Sequence, residues 1–358
     1  MRILALGATG AIGGQLIAAL APYNHEIHVT TRQERRSTVG VRYIQGDAQD
    51  VAFLQDVLRP GWDVIVDFMV YGTPTFESRI DALLRACGQY IFTSSARVFA
   101  DSDDPITECS PRLLDLSQDA AFLASDEYAL AKARQEDLLR ASSQNNWTII
   151  RPYITFGDGR IQLGTLEKEG WLYRALKGRS IIFCDALMGK WTTMTDGADV
   201  ARMIAELVGR PEARGEEYNL AGSQALTWND VLNLYLDELQ IHLGRRPQIV
   251  LQDLDSFCRA GASVPQIIYD RIYNRRFDPT KIGKLFDLDS LADCRVALKT
   301  RLRAQLASGS FLPLNGRDEA LRDRASSAHT PLRDFPSGKH KLAYIRYRYI
   351  PYGLMRAR

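Results

Sequence analysis

The chain has 358 residues, 46% of them apolar and 25% charged, with 26 glycines and 14 prolines. This composition excludes a disordered, collagen-like or coiled-coil chain, and the length is enough for one large domain or two modest ones. The net charge of +2 hides an asymmetry, because 14 basic and 4 acidic residues lie between Arg295 and Arg358. A basic C-terminal end therefore follows an acidic body.

The cysteines and histidines form no recognisable ligand set. Five of each are scattered along the chain, and no two cysteines form a CxxC pair. We therefore predict neither a disulfide framework nor a metal site, a pattern typical of a cytoplasmic protein. The apolar start of the chain could be mistaken for a signal peptide, but the glycines between Gly7 and Gly14 interrupt it. No stretch of about 18 apolar residues predicts a membrane span.

The first half of the sequence alternates strand and helix patterns. Apolar or β-branched runs predict strands at 2–6, 26–31, 41–45, 62–68, 89–93 and 147–152. Helical patterns lie between them, at 15–20, 50–58, 76–87 and 125–142. A late strand at 217–220 precedes a helix capped by Thr227. Strands separated by helices predict an α/β fold, with a doubly wound parallel sheet covered on both faces.

A glycine-rich loop follows the first strand. Gly7 permits a tight turn, Gly10 lets a pyrophosphate approach the backbone, and Gly13 lets the next helix pack closely on the sheet. The helix N-terminus offers free N–H groups to phosphate. The loop also contains Thr9, Ala11 and Ile12. A tight glycine turn without a ligand is the alternative, but the surrounding βαβ order favours dinucleotide binding by a Rossmann-type domain.

The end of the second strand bears on the choice of dinucleotide. An NAD site usually offers a carboxylate there to the ribose 2′-OH, whereas an arginine accommodates a 2′-phosphate. This chain has Thr31 and Arg32 at that point, with Arg35 close behind. We therefore expect NADP(H), with Arg32 as the main contact to the 2′-phosphate. The alternative is a solvated arginine cluster beside bound NAD(H).

Three polar side chains are candidates for catalysis. Tyr128 and Lys132 are four residues apart on a predicted helix, so they lie on one face, one turn apart. A nearby ammonium stabilises a phenolate, which suits Tyr128 to move a proton on an alcohol or ketone. Ser95 follows the predicted strand 89–93 at the sheet edge where such folds bind ligands. We expect its hydroxyl to orient the reacting oxygen.

In their order and spacing these motifs resemble the extended short-chain dehydrogenases/reductases, the nucleotide-sugar epimerase, dehydratase and reductase group. The resemblance extends over roughly residues 1 to 300 and includes Asp199 and Gly222 in the second half. It implies that Tyr128 is the acid/base, that Lys132 holds the nicotinamide ribose, and that the protein is a homodimer. It further implies cofactor contacts from Asp47, Ala48, Phe68, Met69, Thr93, Pro152 and Tyr153, and substrate contacts from Ser94, Ser95, Ala96, Tyr71, Phe156, Lys190 and Trp191.

The sequence departs from the family at informative positions. Related dehydratases carry a Thr-Asp-Glu run where this chain has Ser94, Ser95 and Ala96, which disfavours dehydration. The arginine that often contacts the substrate diphosphate is replaced by Lys190 and Trp191. We expect an NAD(P)-dependent enzyme acting on a nucleoside-diphosphate sugar. A ketoreductase is favoured slightly over an epimerase because Arg32 and Arg35 indicate NADP(H).

The domain organisation follows from the same patterns. We expect a Rossmann domain at 1–153 and about 190–222, and a smaller mixed α/β substrate lobe at about 154–189 and 223–330. A basic, tyrosine-rich extension at 331–358 completes the chain. The alternative function is a non-catalytic nucleotide sensor or RNA-binding protein that uses this extension. Contact of the extension with nucleic acid or with a membrane surface is less favoured than packing or solvation.

Overall fold

A computed structural model describes residues 1–260 and 263–350. Its strands in chain order are β1 Arg2–Leu6, β2 Glu26–Thr31, β3 Val41–Gln45, β4 Trp62–Asp67, β5 Cys87–Thr93, β6 Trp147–Pro152, β7 Ile154–Phe156, β8 Ile181–Cys184, β9 Trp191–Asp196, β10 Glu216–Leu220, β11 Ala225–Thr227 and β12 Ile249–Gln252. The helices are α1 Ala11–Leu20, α2 Val51–Leu58, α3 Thr73–Glu77, α4 Ile80–Arg85, α5 Leu113–Leu116, α6 Ala120–Leu123, α7 Tyr128–Arg140, α8 Lys168–Leu176, α9 Gly197–Leu207, α10 Trp228–Leu243, α11 Leu254–Arg259, α12 Val264–Gln266, α13 Thr280–Gly283, α14 Cys294–Ser308, α15 Gly316–Ser326 and α16 Gly338–Tyr349.

Seven strands form one parallel sheet in the order β10-β6-β5-β4-β1-β2-β3. The order reverses between β1 and β4, which places a crevice at their carboxyl ends. Apolar clusters cover both faces of the sheet, one packed beneath α1 and α9 and the other beneath α2 and α4. The predicted α/β fold with a doubly wound, Rossmann-type sheet is therefore confirmed.

One predicted helix is wrong. The pattern at 76–87 predicts a single helix, but the structure has α3 and α4, and Cys87 already begins β5. The break lies at Ser78 and Arg79, where the chain turns and the Arg79 guanidinium donates to the backbone oxygens of Ala48 and Gln49. Cys87 pairs with Trp62 of β4. The helical pattern predicts that Cys87 ends a helix, but its pairing with a neighbouring strand makes it the first residue of β5.

The chain divides into two compact units. The first contains residues 1–157, 193–225 and 275–294, and the second contains the described residues of 158–192, 226–274 and 295–350. Residues 275–294, which the sequence pattern assigns to the substrate lobe, group with the first unit. In the first unit the short strand β7 pairs in parallel with β9, and in the second unit β8 pairs in parallel with β12. The function of the second unit as a substrate lobe stays a prediction.

The second unit ends in a helical hairpin formed by α15 and α16. Glu319 and Asp323 of α15 are buried and bind the Arg174 guanidinium of α8, with N–O distances of 2.5 and 2.8 Å. The Tyr344 hydroxyl of α16 donates to Asp323 at 2.7 Å, and its ring is fully buried. The described part of the basic extension is thus docked. Residues 351–358 lie outside the described residues.

Candidate active site

The glycine loop has the geometry that its sequence predicts. Gly7 has φ +67°, a left-handed conformation that favours glycine, and its N–H donates to Thr30 Oγ1 at 3.0 Å. A Cβ on Gly13 would overlap the backbone of Ala8, so this glycine permits α1 to approach the loop. Gly10 faces open space and is the N-cap of α1, which has no side-chain cap. The first N–H groups of α1 remain available for an anion.

A cavity of about 240 Å³ adjoins this loop in the first unit. It lies over the carboxyl ends of β1, β2, β3 and β4 and is lined by Gly7, Thr9, Thr30, Thr31, Arg32, Gly46, Asp47, Ala48, Gln49, Met69 and Val70. The Met69 side chain packs against Gly7 at one side of the cavity. A Cβ added to Gly7 would lie only 2.6 Å from Met69 Sδ. The expected cofactor residues Thr9, Arg32, Asp47, Ala48 and Met69 therefore share one cavity.

The two arginines at the end of β2 are placed differently. Arg32 lines the cavity and is exposed, so its charge can reach a bound phosphate. Arg35 is absent from the lining, and its guanidinium carbon lies 5.9 Å from the centre of the Tyr43 ring. Neither position 31 nor position 32 offers a carboxylate.

The predicted catalytic residues lie on neighbouring elements of the first unit. Tyr128 is the first residue of α7, and Lys132 follows one turn later. Ser95 follows the end of β5 and is 8% exposed, and its Oγ accepts a hydrogen bond from Arg97 N at 3.2 Å. Lys132 Nζ donates to Thr93 O at 2.8 Å and lies 3.5 Å from Met69 O. This ammonium links α7 to the ends of β5 and β4.

Lys132 is an unusual lysine because its side chain is buried. Burial lowers the pKa of its ammonium from the ordinary value of 10.5 to about 8, although the charges of Asp67 and Glu136 oppose the shift. The neighbouring Thr93 Oγ1 is buried and has no hydrogen-bond partner among the described residues. A buried cation beside an unsatisfied hydroxyl indicates a place prepared for a polar ligand.

Sequence analysis missed Asp67, the last residue of β4. It is 1% exposed, and it accepts hydrogen bonds from Met69 N at 2.8 Å and Tyr90 Oη at 2.8 Å. Burial raises the pKa of its carboxyl, while these donors and the charge of Lys132 oppose that shift. The available signal was an acidic residue at the carboxyl end of an apolar parallel strand, where open α/β sheets bind ligands.

Arg97 is a second residue that sequence analysis missed. Its guanidinium carbon lies 5.2 Å from the centre of the Tyr128 ring, within the range of a cation–π contact. It also donates to Glu127 Oε1 at 2.7 Å, and its backbone N–H donates to Ser95 Oγ. Arg97 therefore contacts both residues that carry the predicted catalytic hydroxyls. It lies in a single 3-10 turn, Ala96–Val98, which is too short to give a periodic signal in the sequence.

Two residues that were expected to contact the substrate, Ser94 and Tyr71, are buried and bind other side chains of the protein. Ser94 is 1% exposed, and its hydroxyl donates to Glu136 Oε1 at 2.6 Å. Glu136 is in turn held by Arg151 at 2.7 Å. Tyr71 is 3% exposed, and its hydroxyl donates to Asp67 Oδ2 at 3.2 Å. Both hydroxyls are committed to buried carboxylates, so we correct their assignment from substrate binding to support of the strand ends.

The remaining predicted residues are dispersed. Phe68 packs against the apolar cluster beneath α1, Ala96 is fully buried, and the Tyr153 ring after Pro152 lies 5.3 Å from that of Phe277. Phe156 lines a separate cavity of about 210 Å³ in the first unit, together with Met194, Thr195, Asp196, Asp199, Gly222, Ser223, Gln224, Leu288, Asp289, Leu291, Ala292 and Cys294. Lys190 and Trp191 belong to the second unit.

This arrangement fits a dinucleotide. The left-handed glycine turn, the uncapped helix N-terminus and the adjoining cavity can hold the pyrophosphate and adenosine. Lys132 Nζ lies 3.5 Å from the backbone oxygen of Met69, which lines that cavity. Fold and site define a dinucleotide-binding α/β protein of the Rossmann type. Among the residues that the structure describes, no cluster of potential metal ligands occurs, and no helix is long and apolar enough to cross a bilayer.

Comparisons with known proteins agree with this class. Residues 7–211 match a family model described as NAD(P)H-binding, and the chain belongs to that family. A search of curated proteins finds no match.

Solved structures share the fold at low sequence identity. UDP-glucuronic acid 4-epimerase from Bacillus cereus, solved with UDP-glucuronic acid and NAD, is 15% identical with a TM-score of 0.64, covering 86% of this chain and 100% of that one. The Bordetella bronchiseptica enzyme WbmH, solved with NAD+, is 12% identical with a TM-score of 0.66, covering 86% and 99%. dTDP-glucose 4,6-dehydratase from Bacillus anthracis, solved with NAD, is 16% identical with a TM-score of 0.63, covering 86% and 97%. The chain therefore shares the fold of these three solved structures.

Proposed function

We propose that the protein is an NAD(P)-dependent enzyme that oxidises or reduces a carbinol carbon of a nucleoside-diphosphate sugar. The observation that carries this proposal is the position of Lys132 on α7, with Nζ 2.8 Å from Thr93 O and next to Met69, which borders the glycine-loop cavity. One cation thus joins the helix that bears Tyr128 to the cavity suited to a dinucleotide. The nucleotide-sugar ligand named for the similar Bacillus cereus structure supports the substrate class.

The residues have distinct roles in this proposal. When bound, the dinucleotide would provide the hydride chemistry through its nicotinamide ring. Tyr128 Oη gives a proton to the carbonyl oxygen during reduction, or takes it from the hydroxyl during oxidation. Ser95 Oγ orients that oxygen. Lys132 holds the cofactor ribose, and its positive charge favours the phenolate of Tyr128.

We further propose that the cofactor is NADP(H). Arg32 in the cavity wall and the lack of a carboxylate at positions 31 and 32 support this choice. The NAD bound in the similar structures supports the alternative. A net ketoreduction agrees with NADP(H), whereas an epimerase returns the hydride to the opposite face and consumes no cofactor. We favour the reductase over the epimerase, in a homodimer.

The alternative is a non-catalytic protein that binds RNA through its basic extension. Burial of Tyr344 and partial burial of Tyr347 remove two aromatic rings from any base-stacking surface. The retention of Ser95, Tyr128 and Lys132 supports the enzyme, because a protein that only binds has no use for all three.

The first experiment measures which ligands raise the melting temperature. We expect NADP(H) and one nucleoside diphosphate to stabilise the folded protein, because a ligand that binds only the native state shifts unfolding. Arg32→Gln should reduce the effect of NADP(H) and leave that of NAD(H) unchanged. If Arg32→Gln reduces the stabilisation by NAD(H) as much as that by NADP(H), the assignment of Arg32 to the 2′-phosphate is wrong.

The second experiment replaces Tyr128 by Phe. Turnover of the sugar nucleotide identified by the ligand panel should fall by about 10²–10⁴-fold because the phenolic proton is lost. Binding of the dinucleotide should be unchanged, as measured by fluorescence titration. Turnover at the wild-type rate would refute the role of Tyr128 as acid/base.

A further inference from the structure

The surface of α16 that faces away from α15 differs in chemistry from the rest of the hairpin. Leu342, Ile345 and Tyr349 follow one another at i, i+3 and i+7, so they form one stripe along the helix. Their exposed fractions are 70%, 41% and 59%. We call these three residues the apolar stripe. Three large apolar side chains in a row on a helix surface indicate an interaction site more than isolated exposed residues do.

Basic side chains border the apolar stripe on both sides. Lys339 and Arg346 lie along one border, and Lys341 and Arg348 along the other, as the helical period places them. The half-buried Arg348 is held by a hydrogen bond to Ala328 O at 3.2 Å, so Lys341 is the free cation on that border among the described residues. None of the four makes an ion pair within the described parts of the chain, residues 1–260 and 263–350. No acidic residue occurs between Phe335 and Arg358. The outer face of α16 is therefore apolar at its centre and positive at both borders.

The face of α16 that packs on α15 holds the apolar stripe outward. Tyr344 is fully buried, donates to Asp323 Oδ2 at 2.7 Å and accepts from Thr330 N at 3.0 Å. Arg324 of α15 donates to the backbone oxygens of Tyr347 at 3.0 Å and Ile350 at 2.8 Å. Glu319 and Asp323 of α15 thus bind inward to the buried Arg174, and the stripe is held outward without their negative charge on its border.

We propose that the outer face of α16 binds the surface of a membrane that contains anionic lipids. An amphipathic helix with an apolar stripe and flanking lysines and arginines lies in the interface with its apolar side chains among the acyl chains and its cations near the headgroups. Lysine and arginine at the borders extend their charged ends towards lipid phosphates. The helix is already folded and anchored, so binding requires no ordering of the backbone.

Two other occupants fit the face less well. A second copy of the chain, paired across a two-fold axis, would bring the four basic residues of each α16 against those of the other, and like charges would oppose the contact. A polynucleotide would find phosphate partners, but Leu342 and Ile345 offer no aromatic ring, which leaves Tyr349 as the one ring of the stripe for stacking. The apolar stripe therefore selects a lipid surface over both.

The test is co-sedimentation of the full chain with vesicles of phosphatidylcholine alone or mixed with phosphatidylglycerol. We expect binding to the anionic vesicles, weakened by salt, and little binding to phosphatidylcholine alone. Leu342→Ser with Ile345→Ser should weaken binding about tenfold by removing buried apolar area. Lys341→Gln with Arg346→Gln should weaken it by about tenfold or more by removing two charges. These side chains are exposed or half-buried, so the variants should keep the wild-type melting temperature.

Matched controls lie elsewhere in the second unit. Ile241→Ser removes an apolar side chain that is 76% exposed on α10, and Arg245→Gln with Arg246→Gln removes two charges after that helix. All of these controls should bind vesicles as the wild type does. Absence of binding to anionic vesicles would overturn the proposal, as would stripe variants that bind like the wild type. Dimerisation lost in the stripe variants, or salt-sensitive binding to polynucleotide without binding to vesicles, would also overturn it. These outcomes are independent of the turnover measured for Tyr128→Phe.

Discussion

The two units both bury charged side chains, but they do so in different ways. In the second unit, Arg174 is fully buried against two carboxylates, Glu319 and Asp323, and the cluster is completed by Thr330 and Tyr344. In the first unit, Lys132 is bound mainly by backbone oxygens, and its pKa falls to about 8. The charges around Arg174 neutralise one another and stabilise the hairpin of α15 and α16. The charge of Lys132 is only weakly compensated and remains available to a ligand.

The largest effect is expected from breaking the paired cluster. Glu319→Gln should lower the free energy of unfolding by about 3–5 kcal/mol, because Arg174 and Arg179 lose a buried carboxylate. Thermal and urea unfolding measure the change. Asp318→Asn on the same helix, where the side chain is not buried, is the control and should cost less than about 0.5 kcal/mol. A loss as small as that of the control would show that the cluster is not a structural support.

Removal of the Lys132 ammonium should raise the free energy of unfolding, whereas removal of the Glu319 carboxylate should lower it. Its folded pKa of about 8 is lower than its ordinary value of 10.5, so the charged form destabilises the folded state. The full cost, about 3 kcal/mol from a shift of this size, is present below pH 8. It falls as pH rises from 8 towards 10.5, because the folded protein loses the proton first. Lys132→Met should therefore gain stability relative to the wild type most strongly below pH 8.

The measurement is the difference in free energy of unfolding between Lys132→Met and the wild type across this pH range. The loss of hydrogen bonds to Thr93 O and Met69 O adds a constant offset and leaves the slope unchanged. Lys284→Met, at an exposed position, serves as the matched control. A difference that does not change with pH would contradict the burial of a charged Lys132.

Two glycines of the loop, Gly7 and Gly10, should differ in their effect on stability but not in their effect on dinucleotide binding. Gly7→Ala should cost about 1–3 kcal/mol, because its φ of +67° is left-handed and the new Cβ would contact Met69 Sδ. Gly10→Ala meets open space and should change stability by less than about 0.5 kcal/mol. Both should weaken dinucleotide binding, as measured by titration. Unchanged binding in Gly10→Ala would place the pyrophosphate elsewhere.

The smallest expected effect concerns Arg97. Arg97→Met removes the cation over the Tyr128 ring and the ion pair to Glu127, and should cost about 1 kcal/mol of stability. Arg97→Lys keeps the charge and should recover part of that loss. Turnover should fall more than stability does, because the Tyr128 ring is held less well. An activity equal to that of the wild type would show that Arg97 has a structural role only.

Much of the fold could be predicted from local pattern. β1, β2, β3 and β6 begin and end at the predicted residues, because each is an apolar or β-branched run bounded by turn signals. The helix at 76–87 could not be predicted correctly, since the pairing of Cys87 with Trp62 depends on a distant strand. Periodicity carries no information about such long-range pairing.

The site was predictable in part for the same reason. Gly7, Gly13, Tyr128 and Lys132 follow from spacing within one loop or one helix. Asp67, Arg97 and Glu136 act through contacts between elements far apart in sequence, and no local spacing marks them. The orientation of Ser94 and Tyr71 towards buried carboxylates was likewise invisible, because the partners lie on other strands or helices.

Each compact unit is assembled from three separate stretches of chain, and this order constrains how the protein folds. The large sheet needs β10, which pairs with β6 across the intervening segment 158–192, and residues 275–294 then return to the same unit. During synthesis, the nascent polypeptide cannot complete its nucleotide-binding half before residue 294 has left the ribosome. The high contact order of the parallel pairing makes this a slow step. Neither half can be excised as one continuous fragment, so limited proteolysis should yield nicked complexes that remain associated.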